Sequence, residues 1–232
     1  MAKDPQPKDL ETLARRIHRC RRCPRLVEWR EATAADPPRR YRGERYWAKP
    51  LNGFGDPGAG VVIIGLAPAA HGGNRTGRIF TGDRSGDWLF ASLHRTGFAN
   101  QAESERRGDG LSLAGAYVTA VNRCPPPANR PTPAERDNCL PYLERELELL
   151  TSSTVLVTLG SFGWDGALRA VRALGEPVPS PKPRFGHGAE AAAGRWTMLG
   201  CYHPSQQNTF TGKLTEPMLD DVFGRARALA SQ

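Results

Sequence analysis

Apolar residues in this chain gather into short unbroken runs separated by stretches of helical periodicity, the pattern of buried parallel strands alternating with helices. The runs Val61 to Leu66, Tyr117 to Val121, Thr154 to Leu159 and Trp196 to Cys201 predict four strands. Between them, Ser85 to His94 places Trp88, Leu89 and Leu93 on one helical face and stops at Gly97. Pro133 to Leu150 starts with Thr132 as N-cap, Pro133 in the first helical position and Glu135 beyond it. Helices are also expected over Trp164 to Leu174, after Gly160-Ser161, and over Glu216 to Ala230. Leu10 to Trp29 reads as a helix broken near Cys20-Arg21-Arg22-Cys23-Pro24. Ala34 to Gly60, rich in Pro, Gly and Arg, reads as an ordered loop because it holds Trp47 and Phe54. The expected fold class is α/β, with three α/β/α layers around a central, mainly parallel four-stranded sheet. At 232 residues this makes one domain over 1–232, in which residues 1–60 form an amino-terminal arm.

Charge adds a partner class. Lys and Arg number 32 against 24 Asp and Glu, leaving +8, which suits a polyanion without naming it. Arg15-Arg16, Arg19, Arg21-Arg22, Arg25, Arg39-Arg40, Arg42 and Arg45 crowd the arm, with Tyr41, Tyr46 and Trp47 among them, a set able to track a phosphate backbone. No apolar run is long enough to span a bilayer, and Met1 to Pro7 lacks the apolar core of a secretory leader, so the chain is expected in the cytoplasm.

Four of the five cysteines form two groups, Cys20-x-x-Cys23 and Cys124 with Cys139, beside loops. A disulfide reading is weak in reducing cytosol. Metal is the better inference, and spacing alone leaves zinc, an iron–sulfur cluster or unrelated thiols open. Cys201, just ahead of Tyr202-His203, reads as a small buried residue.

The strand at Val61 opens into Gly65-Leu66-Ala67-Pro68-Ala69-Ala70-His71-Gly72-Gly73-Asn74-Arg75-Thr76-Gly77-Arg78-Ile79-Phe80-Thr81-Gly82-Asp83. A glycine-rich loop bearing His, Asn, Arg, Phe and Asp at the carboxyl end of a strand is how open sheets build ligand sites. Neither a Gly-x-Gly-x-x-Gly pattern nor a P-loop follows that strand. This run, Thr119 to Pro127, the four cysteines and His203-Pro204-Ser205-Gln206-Gln207-Asn208 together resemble the motifs of the family 5 (type b) uracil-DNA glycosylases over most of the chain. The resemblance implies a monofunctional glycosylase that initiates base excision repair. Such an enzyme hydrolyses the N-glycosidic bond of uracil and other deaminated bases in DNA, with water and no Lys as nucleophile. It also implies a monomer without membrane attachment, and a [4Fe-4S] cluster on Cys20, Cys23, Cys124 and Cys139.

Removing a base from DNA requires extruding the nucleotide, stacking the base, reading its edge and stabilising the charge of bond rupture. Asp83, the only carboxylate in the loop, is the expected anion near the sugar and the group that positions water, although an Asp there equally suits an N-cap. His203, as a neutral imidazole, is expected to donate to the pyrimidine O2. The resemblance further assigns Phe80 to stacking, although an aromatic residue there equally suits the core, and Asn129 to a substitute amide; the backbone amides of Leu66 and Ala67 are expected to contact the base, and Asn74, in the same loop, to serve as an auxiliary. Gln206, Gln207, Asn208 and Thr209 would form the loop that wedges into the DNA. Three alanines depart from the stricter enzymes: Ala67 where the polar catalytic residue stands, Ala120 where an edge-reading Asn stands, and Ala69 where a bulky residue guards against thymine. Ala67 leaves the chemistry to another residue of the loop, Asp83 or Asn74, and Ala120 and Ala69 should loosen selection. Two alternatives are a non-catalytic damaged-base or single-stranded DNA binding protein, favoured by Ala67 and Ala120, and an iron–sulfur electron carrier.

Overall fold

The computed structural model describes residues 6–231, so part of the Met1 to Pro7 stretch and both ends of the 1–232 span lie outside the described residues. Its strands are β1 (Phe54–Gly55), β2 (Val61–Gly65), β3 (Ala116–Ala120), β4 (Val155–Leu159), β5 (Glu190–Ala193) and β6 (Trp196–Cys201). Its helices are α1 (Leu10–His18), α2 (Pro24–Ala35), α3 (Gly73–Thr76), α4 (Arg84–Arg95), α5 (Pro133–Leu149), α6 (Ser161–Ala173), α7 (Gln206–Phe210) and α8 (Glu216–Ala230). The four expected strands pair in parallel in the order β3-β2-β4-β6, every residue of β2, β3 and β4 being buried.

The sheet has six strands rather than four, because β1 and β5 add antiparallel edges on β3 and β6. β5 reads Glu-Ala-Ala-Ala, residues that favour helix and are depleted in strands. Its conformation is imposed by the hairpin, in which Gly194 takes φ 58° and sets Ala193 opposite Trp196.

Alternate side chains of β2 face opposite layers, as the period of a strand requires. Val61 and Ile63 join Val118 and Val157 under Leu89, Phe90 and Leu93 of α4 and Leu219 and Phe223 of α8. Val62 and Ile64 join Tyr117 and Leu156 under Leu143 and Leu147 of α5 and Trp164, Leu168 and Val171 of α6. On that second side Arg123 and Glu146, each 1% exposed, form a bidentate pair at 2.7 and 3.0 Å. Thr119 Oγ1 donates to Glu146 Oε2 at 2.6 Å and Gly53 N to Oε1 at 3.1 Å, so the buried carboxylate is well supplied with donors.

The arm bends at the Cys20-to-Pro24 break, where Pro24 occupies the first turn of α2. Arg25 of α2 grips Glu135 through two bonds of 2.7 Å, and Glu135 also accepts the Thr132 amide at 2.8 Å in the capping box of α5. In the arginine run Arg15 pairs with Glu11, Arg21 with Glu31, and Arg25 with Glu135. Among the described residues no helix is long and apolar enough to cross a membrane.

Candidate active site

The carboxyl ends of β2 and β6 open onto a cavity of about 810 Å³, whose wall includes Leu66, Ala67, Phe80, Asp83, Asn129 and His203. Residues 120 positions apart in the chain thus meet because their strands run the same way.

Asp83 is both N-cap and cavity wall. Its Oδ1 accepts the backbone amides of Ser85 at 2.9 Å and Gly86 at 3.2 Å, starting α4. Its Oδ2 rests against Gly72, where a Cβ would come within 2.1 Å, so only glycine leaves room for this carboxylate. No described residue donates to Oδ2. Burial raises the Asp83 pKa, with the two amides and the Arg75 charge opposing it.

His203 follows β6 at a turn in which its carbonyl accepts Ser205 N and Asn208 Nδ2, both at 2.8 Å. Burial pushes its pKa down to about 4, so the imidazole is neutral at physiological pH and offers one N–H donor. The Phe80 ring lies beside it, centroids 5.8 Å apart and planes tilted by 35°. Phe80 belongs to both the core and the cavity: it is 7% exposed, packs with the α4 and α8 layer, and lines the opening. Its φ of 51° is a strained conformation for an aromatic residue, and Gly65 makes space for the ring, since a Cβ there would approach its tip within 2.6 Å.

Asn129, at φ 55°, is exposed at the edge of the cavity. Asn74 lies off the wall, fully buried, its amide donating to the carbonyls of Arg30 at 3.2 Å and Ala70 at 3.3 Å. Gln206 and Gln207 reach the rim, whereas Asn208 is held by the His203 carbonyl and Thr209 does not line the cavity. These four residues are not a loop. With Phe210 they form α7, capped by Ser205, whose side chain accepts Asn208 N.

Sequence reasoning gave no cavity role to Trp29, Arg40, Tyr41, His71 or Arg84, all of which line the wall. Tyr41 carried a usable signal, lying in the arginine run, where it now stacks under Arg40 and Arg75. His71 bonds to the Tyr46 hydroxyl through Nδ1 at 3.0 Å, and burial lowers its pKa.

Cys23, Cys124 and Cys139 are buried and Cys20 half-buried, and Cys23 and Cys124 pack together with Leu26. Burial pushes the Cys124 thiol up to about 12 and Cys139 up to about 11. Sulfur receives donors from Arg30 Nη1 to Cys124 at 3.1 Å, Arg123 N to Cys139 at 3.5 Å and Asn138 Nδ2 to Cys23 at 3.6 Å. Arg30, 2% exposed, has its Nε buried with no partner. Among the described residues no group of three or more His, Cys, Asp or Glu side chains is placed to hold a metal ion. Cys201 is fully buried elsewhere.

A carboxylate, a neutral imidazole and an aromatic ring around a strand-end cavity make this an α/β-sheet protein with the site of an enzyme for a planar ligand. A family model described as the uracil DNA glycosylase superfamily matches residues 52–226. The chain is 52% identical over 213 residues to the type-5 uracil-DNA glycosylase of Mycobacterium tuberculosis (strain CDC 1551 / Oshkosh), covering 91% of this chain and 78% of that protein. It is 47% identical over 223 residues to the type-5 uracil-DNA glycosylase of Thermus thermophilus, covering 96% and 99%, and 30% identical over 198 residues to the type-4 uracil-DNA glycosylase of Pyrobaculum aerophilum, covering 85% and 83%. The chain belongs to the uracil DNA glycosylase superfamily, in its type-5 family.

Proposed function

We propose that this protein is a monofunctional uracil-DNA glycosylase that also removes other deaminated bases, acting in the cytoplasm as one domain. The observation that carries the reading is the convergence of Asp83, His203 and Phe80 on one cavity. In the reaction, an everted base stacks on Phe80 with its O2 toward His203. As the N-glycosidic bond breaks, its electron pair passes to the base and positive charge grows at C1′. The neutral imidazole donates to the anionic pyrimidine oxygen. Asp83 Oδ2 faces the developing cation and orients the water whose oxygen bonds to C1′, the proton that this water loses ending on the departed base anion, so that a neutral base and an abasic site are left. Ala67 and Ala69 leave that end of the cavity without bulk, and its volume of about 810 Å³ is ample for a purine, which supports the wider substrate range.

The test is a panel of duplexes carrying uracil, hypoxanthine, xanthine or mismatched thymine, assayed for alkali-labile abasic sites. Uracil and at least one deaminated purine are expected to be released. Cleavage of uracil alone would overturn the broad range, and tight binding without release would overturn the enzyme reading.

The four cysteines fit a [4Fe-4S] cluster. Cys23 and Cys124 pack in one buried group, and Cys23, Cys124 and Cys139 receive hydrogen bonds from Asn138 Nδ2, Arg30 Nη1 and Arg123 N, of the kind cluster thiolates need. Cys20, Cys23, Cys124 and Cys139 would hold it, and the unpartnered Arg30 Nε offers a further donor. When bound it would serve as a structural tie between the arm and the start of α5. Protein purified without oxygen is expected to carry iron and acid-labile sulfide in equal amounts, both lost in Cys124→Ser; zinc alone would refute the assignment.

A further inference from the structure

Phe80 and Asp83 stand in a turn whose support lies outside the cavity wall and centres on the buried Arg78. The Arg78 guanidinium makes four bonds: Nε donates to Thr81 Oγ1 at 2.9 Å, Nη1 to Asp109 Oδ1 at 2.7 Å, and Nη2 to Asp109 Oδ2 at 2.6 Å and Ser104 Oγ at 2.9 Å. The Thr81 and Ser104 hydroxyls share a further bond of 2.7 Å, and Gly82 N donates to Ser104 O at 3.2 Å. Asp109 also accepts the amides of Glu105 at 3.0 Å and of Arg106 and Leu111 at 3.1 Å, so the loop between α4 and β3 is wound around the same carboxylate. Burial raises the Asp109 pKa, but Arg78 and these amides outweigh it and hold the carboxyl well below the usual carboxylate range, which keeps the pair charged. We infer that Arg78 is a positioning residue for base excision: it locks the turn Phe80-Thr81-Gly82-Asp83 against the loop between α4 and β3, so that ring and carboxylate are set for the everted nucleotide. This rests on the proposed glycosylase activity.

The turn needs that support. Phe80 sits at φ 51°, and a strained non-glycine residue persists only where its surroundings over-determine it. Arg78 and Thr81 stand on either side of Phe80 in the chain, so the bond between them closes across the strained residue. Gly82, at φ 79°, is held in turn by Ser104 O on its amide and by Arg75 Nη2 on its carbonyl at 3.0 Å. Stability alone gives little reason for such a network, because a buried ion pair contributes about as much as apolar side chains of the same volume. What the arginine fork supplies is direction, with each N–H aimed at a fixed partner. Ser104 and Glu105, which do not line the base cavity, share with Gly82 and Asp83 the wall of a second cavity of about 430 Å³. The loop that Arg78 holds therefore reaches the carboxylate from outside the space assigned to the base.

The experiment compares Arg78→Lys, Thr81→Val and Thr81→Ser with the wild type, well below the thermal midpoint of each. Lysine keeps a charge beside Asp109 but lacks the fork that reaches Thr81 and Ser104 together. Valine keeps the shape of Thr81 without its hydroxyl, and serine keeps the hydroxyl. Two quantities are measured, single-turnover release of uracil from a saturating duplex and equilibrium binding to a duplex carrying an uncleavable uracil analogue. Arg78→Lys should slow release about 30- to 100-fold and Thr81→Val about 5- to 20-fold, each with binding within about 3-fold of wild type, since a displaced ring and acid spoil the reacting geometry more than the contact with DNA. Thr81→Ser should stay within about 2-fold in both. Release at the wild-type rate in Arg78→Lys and Thr81→Val, or losses of rate matched by equal losses of binding, would overturn the inference. If Arg78→Lys does not fold, the difference between the valine and serine variants decides. No release by the wild type would overturn the glycosylase reading and the inference with it, whereas an active wild type with unaffected variants would overturn the inference alone.

Discussion

Asp83→Asn should lower the single-turnover rate of uracil release by roughly 10²- to 10³-fold without destabilising the fold. The two effects separate because the two carboxylate oxygens do different things. Oδ1 starts α4 by accepting Ser85 N and Gly86 N, and asparagine caps a helix as well as aspartate does. Oδ2 faces the cavity, and there the amide lacks the negative charge that opposes the developing sugar cation. Asp83→Ala removes both functions and should cost about 1 kcal/mol of stability as well, a shift of about 2–4 °C in Tm. The pH profile gives an independent check. Burial raises the Asp83 pKa, so kcat/KM should fall on the acid side at a pH above the ordinary aspartate range, while His203 stays neutral down to about 4. The residual activity of Asp83→Asn should lack this limb. Stability carries the same signature: between the ordinary and the raised pKa the folded state holds its proton more firmly than the unfolded chain, so stability falls as pH rises through that window. Asp83→Asn is exempt and should gain relative to wild type with rising pH. A rate for Asp83→Asn within about 3-fold of wild type would remove Asp83 from the chemistry.

Arg123→Met should destabilise the protein by about 3–5 kcal/mol, because it strands Glu146 as a buried, unpaired carboxylate. At this chain length that corresponds to a Tm roughly 6–20 °C lower. Adding Glu146→Leu should restore most of the loss, since two apolar side chains of similar volume can replace a buried ion pair with little penalty. Denaturant titration of the wild type, the two single variants and the double variant measures the coupling directly. A single variant within about 1 kcal/mol of wild type would show that water reaches Glu146.

Where apolar runs were continuous, as in Val61-Val62-Ile63-Ile64 and Val155-Leu156-Val157, the parallel core could be read from the chain, because strands covered on both faces show no alternation. β5 could not be, since Glu-Ala-Ala-Ala carries the opposite local preference and becomes a strand only through pairing with β6. The α7 segment was misjudged as a loop for a related reason: Gln-Gln-Asn-Thr has no apolar periodicity, and the turn of helix depends on Ser205 as its cap. For Asp83 the sequence offered capping or the cavity, and the geometry holds both, a case that residue type alone cannot reveal. Trp29, Arg40 and Tyr41 reach the cavity from the arm through tertiary docking, of which the Arg25 grip on Glu135 is one part, and no local pattern announces a contact between residues more than a hundred positions apart.

The fit of Gly72 to Asp83 and of Gly65 to Phe80 also decides how such an enzyme can be redesigned. Both glycines already have their missing side-chain space occupied by a cavity residue, so enlarging either one displaces Asp83 or Phe80. Remodelling for a narrower choice of base must therefore proceed from the opposite resource, the small methyl-bearing positions Ala69 and Ala70 in the cavity wall.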